Sequence, residues 1–181
     1  MSNRLKITVI GGGSYNWSFG FIRQFADSEN GGEFRLTLTD INEEALDTVL
    51  AAGMKYIREK KSGLVLEKDT NPESALDGAA FVLVTISTGG LSAMRKDLEI
   101  PETYGIPHTV GDTVGPGGWS RALRNIPVFY NIAEMMKKHC PDAWLLNMSN
   151  PLSVLTRVPH KYFGVKSVGM CPGVETMVRT L

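Results

Sequence analysis

The stretch LKITVIGGG, Leu5 to Gly13, limits the folds open to this chain more than any other. A short, largely β-branched run ends abruptly on three glycines, as a parallel strand buried on both faces would. Glycine then supplies the backbone freedom for a sharp turn that larger residues resist. The next apolar residues, Phe19 to Phe25, recur at helical spacing, so the unit is strand, tight turn, helix.

That unit recurs along the chain. Phe34 to Thr39 reads as a strand stopping at Asp40, and Glu43 to Lys60 as an amphipathic helix with Leu46, Val49, Leu50, Met54 and Ile57 on one face. Leu64 to Leu66 is a short strand and Pro72 to Leu76 a short helix. Ala79 to Ile86 (AAFVLVTI) is the most strand-like run. Ser87 to Gly118 reads as a glycine- and proline-containing connection, long enough to be functional. Ser120 to Lys138 is helical, Ala143 to Leu146 a strand, Leu152 to Val158 a helix, and Val165 to Met170 a last strand. Strands alternating with helices predict an α/β fold, a doubly wound, mostly parallel sheet of the Rossmann-like kind.

Composition narrows the function classes. The 181 residues are 43% apolar, enough for the core of one large domain. Nineteen basic and nineteen acidic side chains cancel, so no whole-chain field points to nucleic acid or an anionic membrane. Cys140 and Cys171 are too few for a secreted disulfide framework. No apolar run reaches spanning length, and the N-terminus lacks a small-residue cleavage site. The expectation is a cytoplasmic, soluble protein, with homo-oligomerisation left open.

GGGSYN, Gly11 to Asn16, lies where a dinucleotide fingerprint belongs, between strand and helix. Gly11 would allow the tight turn, Gly13 would let the backbone approach a pyrophosphate, and the helix N-terminus would offer unpaired N–H groups. Asn16 holds the place of the third glycine, so looser helix–strand packing is expected there. Asp40, ending the second strand, suits the adenine ribose hydroxyls and disfavours a 2′-phosphate. Alternatively it caps the next helix, since Asp40 to Glu43 has capping-box spacing. STGG, Ser87 to Gly90, is a second place for backbone to approach a cofactor. The expected NAD-binding set is Gly11, Gly12, Gly13, Ser14, Asp40, Thr88 and Gly89.

Five stretches in order extend this: KITVIGGGS, GGLSAMRKDLEIPETYG (Gly89 to Gly105), GDTVGPGGWSRALRNIP (Gly111 to Pro127), NMSNPLSVLT (Asn147 to Thr156) and VGMCPGVE (Val168 to Glu175). Together they resemble the N-terminal half of a family-4 glycoside hydrolase, a family related in fold to lactate and malate dehydrogenases. The α-galacturonidase and α-galactosidase-like subgroup is the nearer in look. The resemblance implies NAD and a divalent metal, usually manganese, in place of the common two-carboxylate mechanism. NAD⁺ oxidises the sugar 3-hydroxyl, the metal polarises adjacent oxygens, and a base removes the C2 proton. The leaving group departs by elimination, water adds, and NADH reduces the ketone.

By position, the resemblance makes Cys171 a metal ligand and Asn150 a substrate contact. It puts Asp112 at an acidic loop position and matches Arg95 with Asp97 to a polar pair lining the sugar pocket. Each also has a plain structural role open to it: a helix start for Asn150, buried packing for Cys171. His108, His139 and His160 match no ligand position and are assigned to surface or packing. Pro172 stands where the family carries a polar residue, and proline cannot transfer a proton. Members of the family are more than twice as long, so residues 1–170 are expected to form the NAD domain. Residues 171–181 would begin a substrate domain that this chain lacks, leaving apolar surface exposed near the last helix. A non-catalytic NAD-binding module and a hydroxy-acid dehydrogenase are the alternatives.

Overall fold

In a computed structural model, residues 4–171 are described. Six strands form one sheet: β1 (Leu5–Ile10), β2 (Phe34–Thr39), β3 (Val65–Lys68), β4 (Phe81–Val84), β5 (Trp144–Asn147) and β6 (Lys166–Gly169). Their order is β3-β2-β1-β4-β5-β6, and every pairing is parallel. The expected "mostly parallel" sheet is therefore wholly parallel, and the chain reverses direction of travel between β1 and β4. That switch point is where a doubly wound sheet opens a crevice at its carboxyl edge.

Six helices cover the sheet: α1 (Tyr15–Asp27), α2 (Glu43–Lys60), α3 (Pro72–Leu76), α4 (Gly90–Glu102), α5 (Gly115–His139) and α6 (Leu152–Phe163). Alternating side chains of one strand enter two separate cores. Val82 and Val84 face Phe129, Ile132 and Met136 of α5 and Leu155 of α6. Phe81 and Leu83 face the other core, with Ile7, Val9, Leu36 and Leu38 of the sheet and Phe21, Ile22, Leu46 and Val49 of α1 and α2. Burial on both faces explains why these strands read as continuous apolar runs.

Helix boundaries differ from expectation in informative ways. The segment read as one long connection, Ser87 to Gly118, holds all of α4 and the start of α5. Helix α4 begins on Gly89 and Gly90, with φ of +85° and +57°. Those angles need glycine and give no side-chain cap to recognise. Helix α5 starts at Gly115, with Pro116 in its first turn, where a missing N–H costs nothing. Helix α6 continues past Pro159 to Phe163. Val154, Tyr162, Val168 and Met170 are exposed on α6 and the end of the sheet. No helix among the described residues is long and apolar enough to cross a membrane.

Candidate active site at the carboxyl edge

The turn from β1 to α1 is held by its neighbours. The N–H groups of Gly11 and Gly12 both donate to Thr39 O, at 3.0 and 2.9 Å, and Ser14 N donates to Gly11 O. A Cβ on Gly11, where φ is +91°, would fall 2.1 Å from Thr85 O, so no other residue fits without moving β4. Gly13 is also constrained by packing. Its missing side chain points at Asp40 Oδ2 and the Ala45 Cβ, at 3.0 and 2.9 Å, so its smallness serves packing against the β2–α2 turn.

Asn16 does not loosen the helix, because it is exposed. The small residue at the contact is Ser18, fully buried, with its hydroxyl 3.3 Å from Gly11 O. Ser14, the N-cap of α1, makes no capping bond with its side chain. The first intrahelical bond is donated by Ser18 N to Ser14 O. The N–H groups of Tyr15, Asn16 and Trp17 therefore have no partner within the helix and face the crevice end with the positive pole of its dipole.

Asp40 is partly buried beside this loop. Its Oδ2 accepts from Gly13 N at 2.8 Å and its Oδ1 from Asn42 N at 2.9 Å. The capping-box alternative fails, because the N-cap of α2 is Asn42, whose side chain accepts from Ala45 N. A carboxylate accepts up to about four hydrogen bonds, so each oxygen keeps capacity for a ligand hydroxyl.

The loop after β4 is gripped by α5. Thr88 N and Thr88 Oγ1 both donate to Asn125 Oδ1, at 3.3 and 2.7 Å, while Arg124 Nε donates to Thr88 O at 3.3 Å. Arg124 also forms a forked ion pair with Asp97, at 2.8 and 2.5 Å, and donates to Ser120 Oγ. The guanidinium holds the Asp97 carboxyl below the usual carboxylate range, against the opposing effect of burial. Asp97 is thus a buried brace between α4 and α5, and Arg95 is exposed, 3.8 Å from Glu99. Two residues apart on a helix cannot share a face, which is why this expected pair separates.

At the end of β5 the expected residues meet. Asn150 Nδ2 donates to Asp112 Oδ2 at 2.8 Å, across 38 positions of sequence. Buried Ser149 accepts from Ile86 N at 2.8 Å and stitches this loop to β4. Buried Asn147 shapes the turn, accepting from Ser149 N and directing its amide at Ser149 O, Leu152 O and Thr156 Oγ1. Cys171 follows β6 at the same edge and is exposed, and Met170 N donates to Asn147 O just before it. No group of three or more His, Cys, Asp or Glu among the described residues could hold a metal ion. Pro172 lies outside the described residues. His108 packs against Gly111 and Gly115, in the loop that carries Asp112, and His139 Nε2 lies 3.4 Å from Glu73.

Ser18, Arg121, Arg124, Asn125, Asn147 and Ser149 carry this architecture, and the sequence reading passed over all six. The one available signal was Asn125, a polar residue at the spacing of Ala122, Phe129 and Ile132 on the buried face of α5.

Comparison with known proteins agrees with this arrangement. The model of the family 4 glycosyl hydrolases matches residues 6–181. An alpha-galacturonidase of Thermoanaerobacterium saccharolyticum is 36% identical over 169 residues, covering 92% of this chain and 36% of that relative. The 6-phospho-beta glucosidase of Thermotoga maritima, solved with manganese, NAD+ and glucose-6-phosphate, superposes with a TM-score of 0.87. It is 25% identical, over 98% of this chain and 42% of that one. Lactate dehydrogenase of Eimeria maxima, 19% identical with a TM-score of 0.62 over 94% of this chain and 44% of that one, shares the fold. The chain thus spans well under half the length of these relatives. With its glycine turn, braced carboxylate and paired Asn150 and Asp112 on one sheet edge, it belongs to the family 4 glycosyl hydrolases.

Proposed function

We propose that this chain is the NAD-binding part of an enzyme that hydrolyses an α-linked galacturonide or a closely similar α-glycoside. The observation that carries this is the shared edge: the Asp40-braced glycine turn, Asn150 and Cys171 all follow parallel strands on one side of the sheet, and Asp112 joins them there through Asn150. The residues present fit a dinucleotide. The turn admits no Cβ at Gly11, three unpaired N–H groups open α1, and Asp40 keeps acceptor capacity for ribose hydroxyls and none for a 2′-phosphate. When bound, NAD⁺ supplies a hydride acceptor for carbon 3 of the sugar.

The chain's own part is to bind and orient. The α1 N-terminus takes the pyrophosphate, Asp40 the ribose, and the Thr88–Gly89 segment, fixed by Asn125 and Arg124, walls the crevice. Asn150 meets the sugar from the β5 loop. Arg95, exposed on α4, is available to an anionic substituent entering from that side. Cys171 offers one soft ligand, and the described residues do not complete a metal site around it. The family relation supports manganese as the metal and a glycoside as the substrate.

Calorimetry on the protein tests the cofactor assignment: NAD⁺ is expected to bind and NADP⁺ to bind more weakly. Heat from neither dinucleotide would defeat it. An α-galacturonide carrying deuterium at C2 tests the chemistry. Slower turnover of the deuterated sugar, seen only with NAD⁺ present, supports elimination. Turnover by the NAD-depleted whole enzyme defeats that route, and NAD⁺ binding by the whole protein without any turnover favours a non-catalytic module.

A further inference from the structure

Asn150 is held at both ends. Arg121 Nε donates to its main-chain oxygen at 3.1 Å, and Arg121 Nη2 donates to Ser87 Oγ at 3.2 Å. One guanidinium therefore ties the loop after β5 to the loop after β4. At the side chain, Asn150 Nδ2 donates to Asp112 Oδ2 at 2.8 Å. An ionised carboxylate accepts and never donates, so it decides which end of the amide faces it. The other end, Oδ1, has no donor among the described residues. Arg121 and Arg124 lie one turn apart on α5 but are used differently. Arg124 is neutralised by the buried Asp97, whereas Arg121 has no carboxylate within 4.0 Å among the described residues. Its fork is committed to two neutral oxygens, a geometric use that a lysine cannot reproduce.

We propose that Arg121 and Asp112 are positioning residues that fix Asn150 so that its Oδ1 accepts a hydrogen bond from a sugar hydroxyl. This rests on the glycosidase assignment above. Asp112 then acts on substrate through Asn150. A carbonyl oxygen locked toward the crevice selects a hydroxyl over a group that cannot donate, while a freely turning amide would present a donor as readily as an acceptor.

The test follows the Asn150 side-chain amide in ¹⁵N-labelled protein, assigned by its loss in Asn150→Asp. In the wild type its two proton shifts are expected to be widely separated and slow to exchange. Asp112→Ala and Arg121→Met are expected to collapse that separation, with Asp112→Asn, which keeps an acceptor, restoring most of it. Should Arg121→Met not fold, Arg121→Lys keeps the charge and loses the fork. Methyl α-galacturonide added to NAD⁺-saturated wild type is expected to shift the Asn150 amide. Asp112→Ala should bind it about tenfold more weakly, the scale of one lost hydrogen bond, with NAD⁺ affinity within about twofold of wild type. An Asn150 amide insensitive to these substitutions, or unmoved by the sugar while NAD⁺ is bound, overturns the proposal. Failure of the wild type to bind NAD⁺ counts against the cofactor assignment instead, and the amide spectrum of the free chain still decides the positioning.

Discussion

Replacing Asp97 by asparagine removes one charge from a forked pair without changing its shape. Asp97 is 6% exposed, and its partner Arg124 side chain is 27% exposed, so the two differ in access to water. Breaking a fully buried pair costs about 3–5 kcal/mol, because the surviving charge is left unmatched. Arg124 keeps Ser120 Oγ and Thr88 O as acceptors and retains some hydration, which lowers the expected cost to about 2–3 kcal/mol. In a chain of this size that is a fall in Tm of roughly 4–12 °C. The pH dependence has a definite sign. Arg124 holds the folded-state carboxyl of Asp97 below its ordinary value of 3.8. The stabilisation is therefore complete above that ordinary value and is lost as pH falls through the lower, folded value. Urea denaturation of wild type and Asp97→Asn at neutral pH, and again at successive steps below pH 4 (about the ordinary carboxyl value), reads both quantities. The gap should be largest at neutral pH and close on acidification. A variant within about 0.5 kcal/mol of wild type at neutral pH, or a gap indifferent to acid, would refute the structural role given to this pair. Glu99→Gln, which releases the exposed Arg95, is the control and should leave the midpoint unchanged.

Gly11→Ala places a methyl 2.1 Å from Thr85 O at a φ of +91°. A loss of at least about 2 kcal/mol is expected from strain and overpacking, together with loss of NAD⁺ binding; urea midpoints and calorimetry check the two. Asp40→Asn keeps the shape of the residue but replaces one acceptor oxygen with a donor. The preference for NAD⁺ over NADP⁺ should shrink by about tenfold or more, since one unfavourable contact with a 2′-phosphate is relieved, and equal ratios in variant and wild type would count against the ribose role. Burial pushes the Cys140 thiol up to about 11, while Cys171 is exposed. Thiol labelling of the folded protein should find the exposed Cys171 at once and the buried Cys140 only on unfolding.

The parts of this fold that were legible in the sequence are those with local causes. The ends of β1 and β2 and of α2 and α3 coincide with expectation, because glycines, Asp40, Asn42 and Pro72 punctuate them within a few residues. Helix α4 was hidden because its start depends on two left-handed glycines and Pro101 interrupts its last turn. The site divides in the same way. Asn150 and Asp112 were singled out only through the family resemblance of the motifs that hold them, and their contact spans 38 positions and has no local sign. Arg121, Arg124 and Asn125 read as ordinary polar residues of an amphipathic helix. Their spacing of three and four puts them on one side of α5, and only the packing of α5 against the sheet turns that side toward the loops after β4 and β5. A residue whose task is to hold another carries information about a pair, and a single sequence records its members apart. It follows that a substitution at Arg121 should alter both crevice loops together, whereas one at Asn125 should act first on the loop after β4.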